Sequence, residues 1–535
     1  MKTINTSLYD FARLRDPQSD YVYVDKTSQL HEICKPGTDT IYYLPRPRRF
    51  GKSLMISTIK CLFQGRRDLF EGLAIDSMGW DWEREVYPVL HLDMAQVASP
   101  SAAMLEQKLQ KLMELTCEEF GVPFDPAVPA SANFMVLLKK LPSVAPKAAN
   151  GRYVVLIDEY DAPISGLLDS EEGRRELPMV RKTLHDFYVQ AKSECGNMRF
   201  LMVTGVSKFA KTSIFSAFNN PKDLSLDRRA ADLLGYTHEE MEKCFHEHIQ
   251  AFADEKGVSY DKMFAQLLEW YDSYQFCPSR LVKVINPVSL GNALSNREFG
   301  NYWEATAGST LVYEALKSGN RAPFDLAARF NPSDLDCPDA LEASAVALLY
   351  QGGYLTIDRY LPKTGKLLLK IPNREVTQSL ERGYVRSVLG KDFALNELEN
   401  AADDFVEDLE TRGITDFFKR MLVSVYSKLP HDWKFHDEVE VKRYFMAFMV
   451  FARAEVVGEE QHSLGRPDAV LRTEKGIYVF EFKYARSAAA ALAQCRDRRY
   501  ADAFAADSRP VTYVGVNYDP AKRTVDDVKT ERVQG

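Results

Sequence analysis

A short apolar run that leads directly into Gly51-Lys52-Ser53 limits the possible folds of this chain more than any other feature. The run, TIYYL at 40–44, predicts a strand, and SLMISTIKCLF at 53–63 predicts a helix. Phosphate-binding loops are built in this order, because the N–H groups of the loop and of the helix N-terminus face the phosphates. Arg46 stands where the pattern G-x-x-x-x-G-K-[ST] has its first glycine.

Further apolar runs alternate with helical patterns up to residue 225, which predicts an α/β domain with a parallel sheet. These runs are YPVLHLDM (87–94), RYVVLIDEYD (152–161) and MRFLMVTGVS (198–207). An ATPase of this type needs an acid at the end of an adjacent strand to hold the magnesium shell, and Asp158 is the candidate. Glu159 is placed to polarise the attacking water as a general base. Thr204, Gly205 and Ser207, at the end of the next strand, are placed to sense the γ-phosphate.

The residues around Gly51 have separate predicted roles in binding a nucleotide. Lys52 reaches the β- and γ-phosphates, and the Ser53 hydroxyl ligates Mg²⁺. Pro45 and Pro47 favour extended backbone, so the loop takes a wider path than a glycine turn. The arginines that follow add positive charge where phosphates bind. The predicted nucleotide-binding residues are Arg48, Arg49, Phe50, Gly51, Lys52, Ser53, Leu54, Asp158 and Thr204, with Ser53 and Asp158 as metal ligands.

The length of 535 residues is too great for one core, and three domains are predicted. An ATPase domain covers 1–225. Residues 226–395 form a helical lid, which opens with a capping box at Thr237, and a winged-helix-like part with a β-hairpin in 352–376. Residues 396–535 contain connecting helices and a second α/β domain.

Composition excludes some classes of protein. The net charge of −8 argues against a surface dedicated to coating nucleic acid, although it leaves room for a local basic channel at 483–499. The eight cysteines include no C-x-x-C pair, which is typical of free thiols in a reducing compartment. The N-terminus lacks a secretory apolar segment, and the apolar run at 444–452 is too short to span a bilayer. We therefore expect a cytoplasmic protein without membrane contact.

A second set of residues with catalytic chemistry lies in GRPDAVLRTEKGIYVFEFKY at 465–484. Period-two alternation places Glu481 and Lys483 on one face of a strand and two phenylalanines on the other. If the turn centres on 474 and 475, Asp468 lies opposite Glu481, whereas a bulge at Gly476 would shift that register. The predicted catalytic residues are Glu159, Asp468, Glu481 and Lys483, with Asp468 and Glu481 also metal ligands.

These residue types suit metal-dependent hydrolysis of phosphodiesters. Two carboxylates can hold Mg²⁺, which activates water and neutralises the pentavalent phosphate. Lys483 stabilises that charge or orients the water. The alternative is a surface hairpin with an ordinary Glu–Lys pair, because Glu-x-Lys is common on strands.

A family resemblance is carried by several stretches between about residues 20 and 520: YVYVDKTSQLHEI, RPRRFGKSLMIST, VVLIDEYDAPI, VTGVSKFAKTSIFSAFNNPKDLSLD, GYTHEE, WYDSYQF, VINPVSL, NYWEATAGST and GGYLTI…LLLKIPNREV. With them the chain resembles the AAA-ATPase-like family of bacterial proteins. Members of that family typically have the loop sequence R-P-R-R-F-G-K-S, so the resemblance implies that Arg46 is a family trait. Ser273 in WYDSYQF departs from the family's usual glycine, which bears on the local turn.

The C-terminal hairpin resembles the PD-(D/E)XK nuclease fold, which that family commonly carries at its C-terminus. The resemblance implies that Gln494 and Tyr500 form the fold's Q…Y element. It also implies an acid from the first helix of the fold, for which Glu440 is the candidate. The implied fold class is a P-loop NTPase with a parallel sheet and flanking helices, then a helical lid and winged-helix-like region, then a restriction-endonuclease-like α/β domain.

Two functions of different classes stay open. One is an ATP-binding and ATP-hydrolysing protein, dependent on Mg²⁺ and coupled to metal-dependent cleavage of DNA or RNA. The other is a nucleotide-switched signalling or scaffold protein whose C-terminal domain binds nucleic acid without cutting it. Arg228 and Arg229 offer an arginine finger in trans within a homo-oligomer, although a solvated pair is the simpler interpretation.

Overall fold

The computed structural model describes residues 1–208, 221–303, 329–336, 344–389, 422, 426, 434–451, 455–458, 467–473, 476–505 and 507–534. Contacts group the chain into two compact units, each considered by itself: Met1–Leu311 with Ala327–Thr377, and Val312–Leu326 with Gln378–Gly535. The predicted connecting helices after residue 396 lie outside the described residues, apart from Leu422 and Tyr426. The division into three domains stays a prediction.

A five-stranded parallel sheet organises the first unit. Its strands are β1 (Ile41–Pro45), β2 (Val89–Asp93), β3 (Tyr153–Asp158), β4 (Met198–Gly205) and β5 (Lys222–Asp223). Their order across the sheet is β2-β3-β4-β1-β5, and every pairing is parallel. All residues of β3 and β4 are buried, as expected where helices cover both faces of a sheet. The predicted parallel α/β fold is confirmed.

The strand order corrects one expectation about the predicted magnesium acid. β4 pairs with both β1 and β3, so Asp158 does not end the strand next to the loop strand. Thr204 occupies that neighbouring strand, and Asp158 lies one strand further out. Local sequence patterns predict strands but not their order, because the order depends on how each crossover helix packs.

Helices cover the sheet and form most of the remaining regular structure of the first unit. They are α1 (Phe11–Leu14), α2 (Thr27–Cys34), α3 (Lys52–Phe63), α4 (Ala102–Glu119), α5 (Ala130–Val144), α6 (Ala162–Ser165), α7 (Glu171–Ser193), α8 (His238–Lys256), α9 (Tyr260–Tyr271), α10 (Pro287–Asn296), α11 (Ala345–Gly352) and α12 (Arg374–Leu389), the last of which continues into the second unit. The predicted capping box is confirmed at the start of α8, where Thr237 and Glu240 exchange side-chain and backbone hydrogen bonds. Among the described helices, none is long and apolar enough to cross a membrane.

The predicted hairpin is confirmed as an antiparallel pair of strands, β6 (Thr356–Leu361) and β7 (Lys366–Lys370). Ser273, the departure from the family's glycine, has a φ of 83°, in the left-handed region that favours glycine. The turn therefore keeps the conformation of a glycine, and the serine adopts it under strain.

Arg46 holds the start of the predicted phosphate loop in the core. It is 3% exposed, and its guanidinium donates hydrogen bonds to the carbonyls of Pro45 (3.1 Å), Ser225 (2.9 Å) and Ala230 (3.0 Å). It also lies 4.2 Å from the centre of the Phe276 ring. Burial lowers the pKa of Arg46 to about 10, so the guanidinium stays charged at neutral pH. The arginine therefore ties the loop to two later segments of the chain.

The residues after Arg46 each contact a different part of the unit. Pro47 packs on Gly353, where an added Cβ would lie 2.8 Å from the Pro47 Cβ. The Arg48 carbonyl accepts from the Asn286 side chain at 3.4 Å. The Phe50 ring is buried edge-on against Tyr274 and Phe276, with centroids 4.9 and 5.2 Å away. These contacts fix the loop without the missing glycine.

The second unit contains a mixed five-stranded sheet in the order β12-β11-β10-β9-β8. Its elements are α13 (Glu438–Phe451), β8 (Glu455–Gly458), β9 (Ala469–Arg472), β10 (Ile477–Tyr484), α14 (Ala488–Asp497), β11 (Val511–Asp519) and β12 (Thr524–Gln534). Only β10 and β11 pair in parallel. Phe480 and Phe482 pack on Phe445 of α13, with centroids 4.8 and 5.0 Å away. The predicted aromatic face of β10 is confirmed.

The register of β9 and β10 agrees with the turn predicted at 474 and 475, two residues that lie outside the described ones. Val479 pairs with Val470 and Phe480 with Ala469, and no bulge interrupts the ladder. One further step places Glu481 opposite Asp468. The Phe482 N–H donates to Asp468 Oδ2 at 2.8 Å, which continues the pairing through a side chain.

Replacing Arg46 by the glycine of the general pattern should destabilise the first unit. Arg46→Gly leaves buried carbonyls without donors, so we expect a loss of about 3 kcal/mol in the free energy of unfolding. Calorimetric melting of the full chain measures it. The exposed neighbour is the control, because Arg48→Gly should cost less than about 1 kcal/mol. Equal stability of Arg46→Gly and wild type would contradict the anchoring role.

Candidate functional site

A cavity of about 570 Å³ opens beside the Gly-Lys-Ser turn in the first unit. Seven of the predicted residues line it: Arg49, Phe50, Gly51, Lys52, Ser53, Leu54 and Glu159. Arg48, Asp158 and Thr204 do not contribute to its wall. The structure thus brings the loop and Glu159, the predicted base, to one cavity. The other three predicted residues do not line it.

The helix N-terminus at the cavity is suited to an anion. Gly51 precedes α3 with a φ of 94°, a conformation that favours glycine, and no side chain caps the helix. The first N–H groups of a helix have no intrahelical partner, and with the helix dipole they attract negative charge. The wall of the cavity at Lys52, Ser53 and Leu54 is therefore a place for phosphate.

Lys52 is 4% exposed and is held by the loop's own backbone. Its Nζ donates to the carbonyls of Arg46 (3.1 Å) and Pro47 (3.2 Å) and lies 3.6 Å from Glu159 Oε1. The ammonium therefore lies between the loop and the predicted base. Phosphate oxygens entering the cavity would compete with these acceptors.

Asp158 is oriented by two donors. The Thr204 hydroxyl and the Glu159 N–H, the latter at 2.9 Å, both donate to Asp158 Oδ1. Thr204 therefore contacts Asp158, and its predicted contact with nucleotide stays a prediction. Glu159 has a φ of 48°, and its side chain is 29% exposed. Burial raises the pKa of Glu159, and the Lys52 charge opposes that shift.

Asp161 is a site-supporting residue that the sequence reasoning missed. Its carboxylate accepts from the Ser207 N–H (2.7 Å), the Ser207 hydroxyl (2.6 Å) and the Val206 N–H (3.1 Å). An added Cβ at Gly205 would lie 2.3 Å from Asp161 Oδ1, so this approach requires glycine. The third acid of the DEYD run is the signal that could have found it. The γ-phosphate-sensing role of Ser207 stays a prediction.

The far side of the cavity was also missed. The N-terminal residues 4–9 and the start of α10 form this wall, together with apolar side chains such as Val24 and Leu234. The N-terminal segment packs closely there, because an added Cβ at Gly291 would lie 2.5 Å from Thr6 Cγ2. Apolar side chains that line the same cavity as an open helix N-terminus suit a nucleotide base. No local spacing in the sequence indicates this wall.

Arg49 connects the loop to a buried acid. With a φ of 68°, it donates from Nη1 to the Tyr302 carbonyl at 3.3 Å. The N–H groups of Tyr302 and Trp303 donate to Glu375 Oε1 at 2.7 and 2.8 Å. Burial raises the pKa of Glu375 from 4.5 to about 7. This chain of contacts was not predicted.

In the second unit, the three predicted catalytic residues lie together. Lys483 Nζ is 3.1 Å from Glu481 Oε1, and Asp468 Oδ2 accepts from the N–H of Phe482, the residue between them, at 2.8 Å. Burial, followed by the charge of Asp468, raises the pKa of Glu481 to about 7. Burial lowers the pKa of Lys483, but Glu481 outweighs it and the net shift is upward. Burial also raises the pKa of Asp468.

Glu438, not Glu440, is the acid of the preceding helix that reaches this cluster. Glu438 Oε1 lies 3.3 Å from Lys483 Nζ, and its Oε2 accepts from the Tyr484 N–H at 3.3 Å. Glu440 instead accepts from the His436 N–H at 2.7 Å, which caps the start of α13. Two residues along a helix change the direction of a side chain by about 200°, and the sequence alone does not show which side faces the sheet.

Of the Q…Y element implied by the resemblance, Tyr500 is buried beside Val479 and Leu492. Burial, and then the charge of Glu481, raises its pKa to about 12. Tyr500 therefore lies within the electrostatic reach of the cluster. Gln494, at the end of α14, is half-buried.

The donor set fits a hard divalent cation with water as co-ligand. Glu481 Oε2 is buried and has no hydrogen-bond partner, and such an orphaned oxygen is costly unless a ligand satisfies it. Within the described residues, no group of three or more His, Cys, Asp or Glu side chains is arranged to hold a metal. Mg²⁺ needs fewer, because it retains several waters beside one or two carboxylates.

Comparison with known proteins identifies a family domain in each part of the chain that contains a candidate site. Residues 6–215 match a family model described as "Predicted AAA-ATPase", and residues 436–528 match the PD-(D/E)XK nuclease superfamily. The chain belongs to the AAA-ATPase-like family and carries a PD-(D/E)XK nuclease superfamily domain at its C-terminus. Both resemblances seen in the sequence are thereby confirmed.

One relative of full length is "Uncharacterized protein in vnfD 5'region" of Azotobacter chroococcum mcd 1, which is 30% identical over 535 residues and 98% of each chain. Among solved structures, the chain is similar to the Aeropyrum pernix Orc1 protein in complex with DNA, with a TM-score of 0.26 and 12% identity over 70% of this chain and 96% of that one.

Glu375 should make stability depend on pH. Its pKa is about 7 in the folded protein and 4.5 ordinarily, so its contribution is present below 4.5 and lost as the pH rises through 7. Between about pH 5 and pH 8, wild type should lose roughly 3 kcal/mol relative to Glu375→Gln, whose amide does not titrate. Calorimetry at both pH values measures the difference. Parallel pH dependences would show that Glu375 titrates normally.

Proposed function

We propose that this protein binds and hydrolyses ATP in the first unit and cleaves DNA or RNA with a divalent metal in the second. Family membership supports both halves. The observation that carries the first is Lys52, which lies between an open helix N-terminus and Glu159 on one cavity wall. The observation that carries the second is the contact of Lys483 Nζ with Glu481 Oε1 at 3.1 Å, on a strand whose Phe482 N–H donates to Asp468 Oδ2.

In the nucleotide site, the phosphates would lie on the N-terminus of α3, and the base would lie against the apolar wall. Lys52 would exchange its backbone acceptors for phosphate oxygens. Ser53 lines the cavity and would ligate Mg²⁺ directly, whereas Asp158 lies outside the wall and would act through water. Bound Mg²⁺ supplies neutralisation of the β- and γ-phosphate charge.

Glu159 would then orient and polarise the attacking water. Its side chain reaches the cavity, and burial raises its pKa, which makes it a better base than an exposed glutamate. Its contact with Lys52 ties the base to the phosphate-binding group. A phosphate that binds Lys52 would therefore replace its contact with Glu159, and the Glu159 carboxylate could then bind the attacking water.

In the second unit, Asp468 and Glu481 would hold the divalent cation, which supplies an activated water and charge neutralisation. Lys483, held between Glu481 and Glu438, would stabilise the charge that develops on the phosphate. Glu438 would fix the direction of that lysine. We further propose that ATP binding regulates this activity, in a cytoplasmic protein; among the described residues no cysteine is in a disulfide.

The second candidate is a nucleotide-switched scaffold that binds nucleic acid without cutting it. It is favoured by the lysine contacts of the acids, because Asp468 lies 3.7 Å from Lys442 Nζ and Glu481 lies 3.1 Å from Lys483 Nζ. Acids that are paired with lysines in this way can stabilise the fold without binding a metal. A homo-oligomer completed by an arginine from a neighbour stays a prediction; Arg229 pairs with Asp227 at 3.0 Å, whereas Arg228 is exposed.

The ATPase proposal predicts a separation of binding from turnover. Lys52→Ala should abolish ATP binding measured by calorimetric titration, because it removes the charge at the phosphates. Glu159→Gln should bind ATP but release phosphate about 100-fold more slowly, since it lacks the base. Lys60→Ala, on the same helix, is the control and should behave as wild type. Normal turnover by Glu159→Gln would exclude Glu159 as the base.

The nuclease proposal predicts loss of cleavage in Lys483→Ala and in Glu438→Gln, but not in Glu440→Gln, whose amide can still cap the helix. Purified protein with Mg²⁺ or Mn²⁺ and plasmid or RNA, with and without ATP, provides the assay. We expect at least a 10-fold loss for Glu438→Gln, because Lys483 loses a charged partner. Cleavage that survives Lys483→Ala would refute the assignment. Retention of nucleic acid without cleavage by any form would favour the scaffold.

A further inference from the structure

Lys442 is a second lysine at the acidic cluster of the second unit, and neither the hairpin motif nor the predicted site includes it. It lies one turn after Glu438 on α13, so both side chains project from the same side of the helix. Its Nζ is 3.7 Å from Asp468 Oδ1, and its side chain is 13% exposed. The cluster therefore contains three acids and two lysines.

The two lysines neutralise different acids. Lys483 Nζ is surrounded by Glu481 Oε1 at 3.1 Å, Glu438 Oε1 at 3.3 Å and the Phe482 carbonyl at 2.8 Å. Asp468 has one oxygen occupied by the Phe482 N–H, and Lys442 faces the other. A cation bound between Asp468 and the orphaned Glu481 Oε2 would therefore need the oxygen that Lys442 faces.

We propose that Lys442 is an internal counter-ion that holds the cation position at Asp468 and must withdraw before a divalent metal binds. This inference rests on the metal site of the proposed function. Lys442 is then a positioning residue that weakens the affinity of the site for metal, and its charge becomes available for a phosphate once it withdraws.

Three physical features support an exchange instead of a fixed ion pair. The Asp468–Lys442 separation of 3.7 Å is longer than a charge-assisted hydrogen bond of about 2.8 Å, so the pair is attractive but not tightly bonded. Lysine carries its charge on a flexible stem and can withdraw without moving the helix. Asp468 is also 23% exposed, which gives an ion access from solvent.

The test measures Mn²⁺ binding to the full-length protein by calorimetric titration, without nucleic acid. Lys442→Met should bind Mn²⁺ about 10-fold more tightly than wild type, because the competing charge is gone. Lys442→Arg should bind within about 2-fold of wild type. Arg443→Met is the matched control, since it removes an exposed positive charge from the next position of the same helix.

Melting temperatures give a second readout and check folding. Without metal, Lys442→Met should melt below wild type, because Asp468 loses its counter-ion. Its rise in melting temperature on adding Mn²⁺ should be larger than that of wild type. If Lys442→Met does not fold, Lys442→Gln replaces it with a polar side chain of similar length.

The outcomes separate this inference from the proposed function. If Asp468→Asn abolishes Mn²⁺ binding while Lys442→Met binds as wild type or more weakly, the counter-ion role is wrong and the metal site stands. If wild type and Lys442→Met both bind no Mn²⁺, both proposals fall. If Arg443→Met binds Mn²⁺ as tightly as Lys442→Met does, the gain in affinity comes from the lower net positive charge of the helix. That result would overturn the specific counter-ion role of Lys442.

Discussion

The buried guanidinium of Arg46 is the interaction on which the first unit depends. It is charged, almost inaccessible to water, and surrounded by carbonyl oxygens instead of an acid. A planar group with five donors in a fixed fork can satisfy several carbonyls at once in a defined geometry, whereas glycine has no side-chain donor and lysine is a flexible point charge with three donors. The carbonyls of Arg46 and Pro47 in turn accept from Lys52, so one residue fixes both the outer path of the loop and its lysine.

That arrangement explains how a phosphate loop works without its first glycine. A glycine gives such a loop its shape through backbone freedom, at an entropic cost on folding. Here the shape comes from contacts with segments that follow much later in the chain, including Ala230, Phe276 and Gly353. The loop is therefore stable only when the rest of the unit is folded, and its geometry depends on segments distant in sequence.

Local sequence patterns predicted the strands, the capping box and the hairpins. They did not predict features that depend on how distant segments pack. The hairpin register, which places Val479 opposite Val470, agrees with a turn at 474 and 475, one of the two registers that the sequence left open. The wrong choice of Glu440 over Glu438 depended on which side of α13 faces the sheet. The strand order around Asp158, the anchoring role of Arg46 and the supporting role of Asp161 all depend on residues distant in sequence, which no short motif contains.

Both candidate sites pair a lysine with an acid, so the proposed binding of a phosphate or a divalent cation would be an exchange of ions. A phosphate would compete with Glu159 for Lys52, and a divalent cation would compete with lysines for Glu481 and Asp468. Burying an isolated charge costs free energy, and in each site the lysine–acid contact offsets part of that cost. Affinity is then a difference between two strong attractions, and one displaced side chain is freed for the next step. In the first unit that side chain would be Glu159, the proposed base, and in the second it would be a lysine that can meet phosphate.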